Sequence, residues 1–373
     1  MTPSFRVAVV GASRVGKTTL LTAILSDTHS LLAGTPVTVS MDEPTQSRVR
    51  RQEKDLRRAI EVGEFNAAAL GGTQDINRYH VALQADGDES VQIPFDLLDY
   101  PGAWLDPDER SKYAHAVAEW PNYLDHVRQS IMLLVPIDAA VLMEAVTPRQ
   151  KAAVGELLGL LDIEDVGRKW AMARQANPYE PAVVVLAPLK CEKYFGDNGG
   201  HGHDEARLRA RVKEKYDRLL EIIAAETENR SGPVRVVYAP IDTYGCVELM
   251  EARWKVHVGQ ELPDFEAHYR FRGHPPRIQV RAAGTVMQEL CRSVLAGQAQ
   301  VEAENQRVHQ QSYDAGVSRK AEAKGFWGTL GYHLSGEARA VNGRIEDHSA
   351  AIARIGLRRH QLTEATHKLV SVA

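Results

Sequence analysis

Apolar residues in this chain gather into short unbroken runs separated by longer amphipathic stretches. The runs at Phe5–Val10, Ser130–Ile137 (SIMLLVPI) and Ala182–Ala187 (AVVVLA) are rich in β-branched residues and barely alternate with polar ones. Strands buried on both faces read this way. Val234–Tyr238 reads as a further strand, stopped by Ala239 and Pro240. Tyr79–Leu83 alternates, and Ile93–Leu98 follows it across the turn residues Ala85, Asp86, Gly87 and Asp88, so the two predict a hairpin.

The intervening stretches carry helical spacing. Leu20, Leu21, Ile24 and Leu25 share one face. Asp42–Val62 has a weak apolar stripe (Val49, Leu56, Ile60) and a basic face that reads as solvated. Asp106–Val127 is expected to be a helix broken at Pro121, Thr147–Leu161 one amphipathic helix, and Glu205–Glu226 and Val280–Leu295 two more. Leu31–Pro36 and Gly196–Asp204 read as loops. Val256–Arg277 has no period and reads as an extended segment wrapped on the domain. Strands alternating with helices predict an α/β fold, a three-layer α/β/α sandwich. Composition shifts after residue 296, which divides the chain into a domain at 1–296 and a helical C-terminal extension at 297–373.

Composition narrows the setting. Hydrophobic residues make up 44% and charged residues 25% of 373, ordinary for a globular protein. The net charge of −4 gives no overall basicity to favour nucleic acid or an anionic membrane. Cys191, Cys246 and Cys291 are far apart and odd in number, with no zinc spacing and no disulfide framework, so a reducing cytoplasm is expected. The first strand begins almost at once, leaving no room for a signal peptide, and no apolar run approaches the roughly 18 residues of a membrane span.

The candidate chemistry lies where the first run ends. Gly11-Ala12-Ser13-Arg14-Val15-Gly16-Lys17-Thr18 fits G-x-x-x-x-G-K-[ST] between a strand and a helix, the context a P-loop needs. Glycines let backbone approach a phosphate chain closely. Successive amides backed by a helix N-terminus form an anion nest. In that motif Lys17 reaches the β- and γ-phosphates and the Thr18 hydroxyl reaches Mg²⁺. Asp99 ends the strand at Ile93–Leu98 and begins Asp99-Tyr100-Pro101-Gly102. Ligands of open α/β sheets sit at the C-terminal strand ends, so Asp99 and the loop are expected to share one edge.

These motifs, with Thr73 before the hairpin and Lys190-Cys191-Glu192 after a later strand, stand in the order of the TRAFAC-type P-loop GTPases, which the chain resembles over roughly residues 5–295. The D-Y-P-G variant and the arginine-rich segment at 270–277 look most like the YcjX-like branch, and less closely like GTPases of bacterial conflict systems. The resemblance implies bound GTP or GDP with Mg²⁺. It implies phosphate contacts from Gly11 through Thr19 and from the Gly102 amide. Thr18, Thr73 and Asp99 would serve the Mg²⁺, and Thr73, Asp99 and Gly102 the switch. Thr35, Thr38 and Thr45 are rivals to Thr73. Lys190, Glu192 and the backbone at Ala239 would serve the base.

Two departures qualify this. Leu189 stands where the guanine motif has Asn or Thr, and Glu192 where it has Asp, which leaves adenine open as an alternative. Ala103 and Trp104 stand where related proteins carry a water-orienting glutamine. Slow hydrolysis is therefore expected, or a catalytic group from elsewhere, with Arg14 as the local candidate. A nucleotide-holding module without turnover is the third reading. In the extension, Phe326, Trp327, Leu330, Tyr332 and Leu334 form an apolar cluster among glycines, read as a contact for a protein partner or a second copy, or as buried by a helical hairpin. Membrane contact is disfavoured. His201, His203 and Asp204 read as a solvated loop and not as a metal site.

Overall fold

A computed structural model describes residues 4–32, 37–63, 65, 75–85, 88–177, 180–196, 203–230, 232–294 and 296. The chain divides into two compact units, Met1–Leu290 and Cys291–Ala373. Of the second, residues 291–294 and 296 are described, and the first four of these are helical. Thr35, Thr73, His201 and the extension from residue 297 lie outside the described residues.

The first unit runs β1 (Phe5–Val9), α1 (Lys17–Leu32), β2 (Val37–Met41), α2 (Glu43–Val62), β3 (Asn77–Ala85) and β4 (Asp88–Asp99). It continues through α3 (Pro107–Ser111), α4 (Ala114–Gln129), β5 (Ser130–Asp138), α5 (Ala139–Met143), α6 (Pro148–Leu157) and α7 (Leu160–Ala176). It ends with β6 (Val183–Leu189), α8 (Glu205–Glu226), β7 (Arg235–Tyr238), β8 (Val247–Lys255), β9 (Asp264–Phe271) and a helical stretch at 283–290.

Seven strands form one sheet in the order β2-β3-β4-β1-β5-β6-β7. Strands β4, β1, β5, β6 and β7 are parallel, and β3 is antiparallel to both its neighbours. Helix α7 packs on α4 and α8, α4 on β1 and β5, and α7 on β5, whereas α1 packs on β2 and α2 on β3. The result is an α/β fold with a mostly parallel sheet between helical layers. Strands β5 and β6 are buried along their whole length, which explains their unbroken apolar runs.

Four elements depart from the sequence expectation. Residues 37–41 form an edge strand paired with β3. Pro121 does not break its helix; α4 runs through it. One missing N–H costs less than the burial of Ala116, Tyr123, Leu124 and Val127 on that helix returns. The helix starting at Thr147 ends instead at Gly159, whose left-handed backbone (φ 62°) starts α7 in a new direction. The segment expected to wrap the domain contains β9, which pairs antiparallel with β8 in a separate two-stranded sheet.

A polar cluster gathers around two buried residues of the sheet and its helix, Asp96 and His126. Asp96 on β4 meets Arg78 at 3.1 Å and His80 at 3.6 Å, and the His126 ring from α4 lies 3.9 Å away. His126 is 1% exposed, and its Nε2 lies 3.1 Å from the Val7 carbonyl of β1. Burial lowers the imidazole pKa from 6.5 to about 4, against the opposing pull of that carbonyl and of Asp96. The folded chain therefore binds fewer protons than the unfolded chain between these values. Stability is unaffected by this group above pH 6.5 and falls as pH drops toward 4. Urea midpoints measured across that window are expected to decline, and to decline less steeply in His126→Gln, which titrates in neither state. Equal slopes would show that His126 is not held neutral.

Candidate functional site

The register of the parallel strands brings their C-terminal ends to one edge. Val9 pairs with Leu134, Ala8 with Leu98, and Asp138 with Leu189. Gly11, Asp99, Asp138, Lys190 and Ala239 follow from these strand ends. The loop between β1 and α1 turns through left-handed residues at Arg14 (φ 61°) and Gly16 (φ 106°). Glycine takes such a backbone without cost, whereas an arginine there is held by its surroundings. Val15 anchors the loop in the core, while Ser13 and Arg14 face solvent.

Lys17 is the first residue of α1 and is 6% exposed. Its ammonium donates to the Gly11 and Ala12 carbonyls, each at 3.0 Å, and lies 5.2 Å from the centre of the Tyr100 ring. Burial lowers its pKa to about 8, with Asp99 acting the other way. The Thr18 hydroxyl donates to Asp99 Oδ2 at 2.5 Å, and Asp99 is fully buried. The sequence-predicted phosphate residues and Asp99 are thus together. Hard oxygens from Thr18 and Asp99 suit Mg²⁺, which takes few protein ligands and completes its shell with water and phosphate. Among the described residues no group of three His, Cys, Asp or Glu could hold a metal by itself.

Gly102 opens a single turn of 3₁₀ helix, Gly102–Trp104, seated directly on the loop. A Cβ there would lie 2.5 Å from Lys17 Nζ, 2.5 Å from the Ser13 nitrogen and 2.6 Å from the Ala12 carbonyl carbon. The turn is pinned on both sides, by Tyr100 at 0% and Trp104 at 4% exposure. Arg110 donates to the Trp104 carbonyl at 2.7 Å and stacks 3.9 Å from the centre of Trp120. Ala103 and Trp104 bring no carboxamide.

On the far side of the site the motif residues Lys190, Glu192 and Ala239 meet three that no motif names, Asp138, Asp242 and Tyr244. Lys190 adopts a left-handed backbone (φ 57°), donates to the Arg14 carbonyl at 3.1 Å and pairs with Asp138. Asp138 also accepts from the Ala140 and Val141 amides, at 3.0 and 3.2 Å, and so caps α5. Glu192 is only 4% exposed, and its carboxyl hydrogen-bonds Asp242. Burial, and then the Asp242 charge, push the Glu192 pKa well up; burial also raises that of Asp242. Asp242 accepts from the Tyr244 and Gly245 amides at 3.2 and 2.6 Å. Ala239 is buried and donates its amide to the Leu186 carbonyl at 2.9 Å. Tyr244 Oη lies 3.4 Å from Thr19 Oγ1. Asp138 carried a readable signal: like Asp99, it is an acid ending a buried apolar run. Asp242 and Tyr244 carried none.

No protein-family model matches the chain, and no curated protein matches it. Among the described residues no helix is long and apolar enough to cross a membrane.

The seat of Gly102 gives a direct test. Gly102→Ala has backbone atoms of the loop in its way, so something must shift. A loss of about 1–3 kcal/mol in unfolding free energy is expected, typical of overpacking. Urea unfolding of the variant without ligand measures it. An unchanged free energy would mean that the turn does not rest on the loop.

Proposed function

We propose that this chain is a P-loop nucleotide-binding protein of the TRAFAC GTPase type, which binds GTP with Mg²⁺, hydrolyses it slowly and acts as a nucleotide-controlled switch. The observation that carries the reading is the Thr18–Asp99 hydrogen bond, 2.5 Å long, between residues 81 apart in sequence. It joins the two motifs that the Mg²⁺ chemistry of this class requires, beside a lysine already turned into the loop. The sheet order and the single antiparallel strand β3 support the same reading.

In this reading the Ser13–Thr19 amides and the N-terminus of α1 hold the phosphates. Lys17 exchanges the Gly11 and Ala12 carbonyls for β- and γ-phosphate oxygens. Thr18 and Asp99 hold the Mg²⁺, which neutralises phosphate charge when bound. The Gly102 turn sits close over the loop, so it shifts when the triphosphate binds and the Gly102 amide contacts the γ-phosphate. That displacement is the switch. Thr73 would join it from outside the described residues. With no carboxamide after Gly102 to orient water, turnover is slow unless a partner supplies a group or the exposed Arg14 swings in. Lys190, Glu192 and Ala239 form the base side. A protein partner or second copy engaged through residues 297–373 completes the proposal.

A second reading, ATP as the ligand, is favoured by one observation. The Glu192 carboxyl is buried on Asp242, so reading guanine requires it to leave that partner.

Titration calorimetry with GTP, GDP and ATP, with and without Mg²⁺, tests the proposal. GTP with Mg²⁺ is expected to bind most tightly. Lys17→Ala is expected to weaken it by tenfold or more, the loss of a charge-assisted contact. Unchanged affinity in that variant would overturn the phosphate site. Tighter binding of ATP would overturn the guanine assignment alone. Absence of single-turnover hydrolysis with Mg²⁺ would leave a binding module and no enzyme.

A further inference from the structure

Beside the phosphate loop lies a cluster of aromatic rings that the motifs do not require. Phe65 stands at its centre. Its ring meets Tyr244 at 5.9 Å, Tyr269 at 6.1 Å and Phe271 at 5.4 Å between centroids, each edge to face. Two of these neighbours reach the site already described. Tyr244 Oη lies 3.4 Å from Thr19 Oγ1 in the first turn of α1, and the Tyr269 ring lies 6.0 Å from Lys190 Nζ. Phe65 is therefore one ring away from both the phosphate side and the lysine of the base side.

The walls of this cluster are fixed. Tyr269 and Phe271 are two apart on β9 and share a face. The hairpin that carries them is tied to the main unit. Trp254 Nε1 donates to the Glu144 carbonyl at 3.1 Å and Arg149 Nε to the Glu261 carbonyl at 2.6 Å. Tyr244 is held by the Asp242 turn and by the Gln279 amide on its carbonyl at 2.9 Å. Phe65, in contrast, follows the C-terminus of α2, which Gly63 ends with a left-handed cap.

Phe65 satisfies the rings but not the hydroxyl of Tyr269, which is buried and, among the described residues, has no hydrogen-bond partner. A buried hydroxyl left in this state is costly, and a phenyl ring offers it nothing. A purine is as flat as a phenyl ring, stacks on aromatic walls, and carries ring nitrogens and exocyclic groups at its edge.

From this geometry we infer that the Phe65 ring occupies the slot for the nucleobase, between Tyr244, Tyr269 and Phe271, and that a purine binds by displacing it. The inference rests on the nucleotide reading above and adds to it a self-supplied competitor. Tyr269 and Tyr244 become the residues that select a planar base, and Phe65 holds down affinity for nucleotide while leaving the phosphate loop accessible. A ligand with phosphates and no base therefore does not feel Phe65.

The test compares GTP, ATP and inorganic tripolyphosphate, each with Mg²⁺, on the full chain and on Phe65→Ala, Phe65→Leu and Tyr269→Ala. Phe65→Ala is expected to bind the favoured nucleoside triphosphate three- to tenfold more tightly. Tyr269→Ala is expected to bind it at least tenfold more weakly. Tripolyphosphate affinity is expected to stay within twofold in every variant. Phe65→Leu keeps the cluster apolar and removes the ring; it is expected to tighten binding to a smaller degree, and it carries the test should the alanine variant not fold. Nucleotide affinity that is unchanged or weakened in the Phe65 variants, with tripolyphosphate still bound, overturns the base slot and leaves the phosphate site standing. Failure of the wild-type chain to bind either tripolyphosphate or nucleotide overturns the nucleotide reading, and this inference with it.

Discussion

Strand β1 is hydrogen-bonded on both edges, to β4 and to β5, and Val7 through Val10 are at most 1% exposed. A segment without solvent on either face has one register, because every backbone group must find its partner in a neighbouring strand. That register decides where β1 stops, and β4 and β5 stop beside it. Gly11, Asp99 and Asp138 then face one another across the sheet edge, although long stretches of helix separate them in sequence. The site is a consequence of pairing β1 correctly. Its charged residues sit where the apolar strands can no longer bury them.

The same constraint makes the site crowded. Tyr100 and Trp104 flank Gly102 as buried side chains, which seat the turn between them on the loop. A glycine is the only residue that lets the chain lie so close to Ser13 and Lys17. Lys17, deprived of water, is satisfied by the Gly11 and Ala12 carbonyls, which makes its positive charge tolerable but not comfortable. Its lowered pKa expresses that balance. An anion placed over the loop relieves the lysine and strains the seat of the turn at once. Two opposed effects on neighbouring groups are what a two-state element needs.

The fold was legible where one level of sequence pattern decided the outcome. The buried strands β5 and β6, helix α8 and the β3–β4 pair followed from apolar runs and period, because burial on both faces leaves little freedom of composition. The loop at Gly11–Thr18 stood out because its glycines, lysine and threonine keep a fixed spacing between a strand and a helix, and both elements are where that spacing put them. Residues 37–41 were missed because an edge strand with one pairing partner needs no apolar run. Pro121 misled because propensity within α4 yields to its buried face. Strand β9 was missed although Phe265, Ala267, Tyr269 and Phe271 alternate with Glu266, His268 and Arg270; its inner face is only half-buried, and the Pro- and Gly-rich flanks of the segment obscured the period. Glu192 stood at the motif spacing, yet spacing carried no information that Asp242 would be its partner, since that contact depends on how the chain returns after β7.

The two halves of the candidate site therefore differ in kind. The phosphate half is made of backbone and of residues contiguous in sequence, on a strand end that the core dictates. The proposed base half joins Lys190, Glu192 and Ala239, which follow the ends of β6 and β7, to side chains from α2's end, the Asp242 turn and the β8–β9 sheet, which the main sheet's register does not fix. Backbone amides recognise any polyphosphate alike. On the proposed reading, discrimination between ligands would come from the second half, where Tyr244, Tyr269 and Phe271 gather around Phe65. On the proposed reading, rigid walls with one exchangeable ring would vary base preference without disturbing the loop, because no contact of Phe65 falls within Gly11–Thr18. The choice of ligand would then lie on the side of the sheet edge where Tyr244, Tyr269 and Phe271 stand.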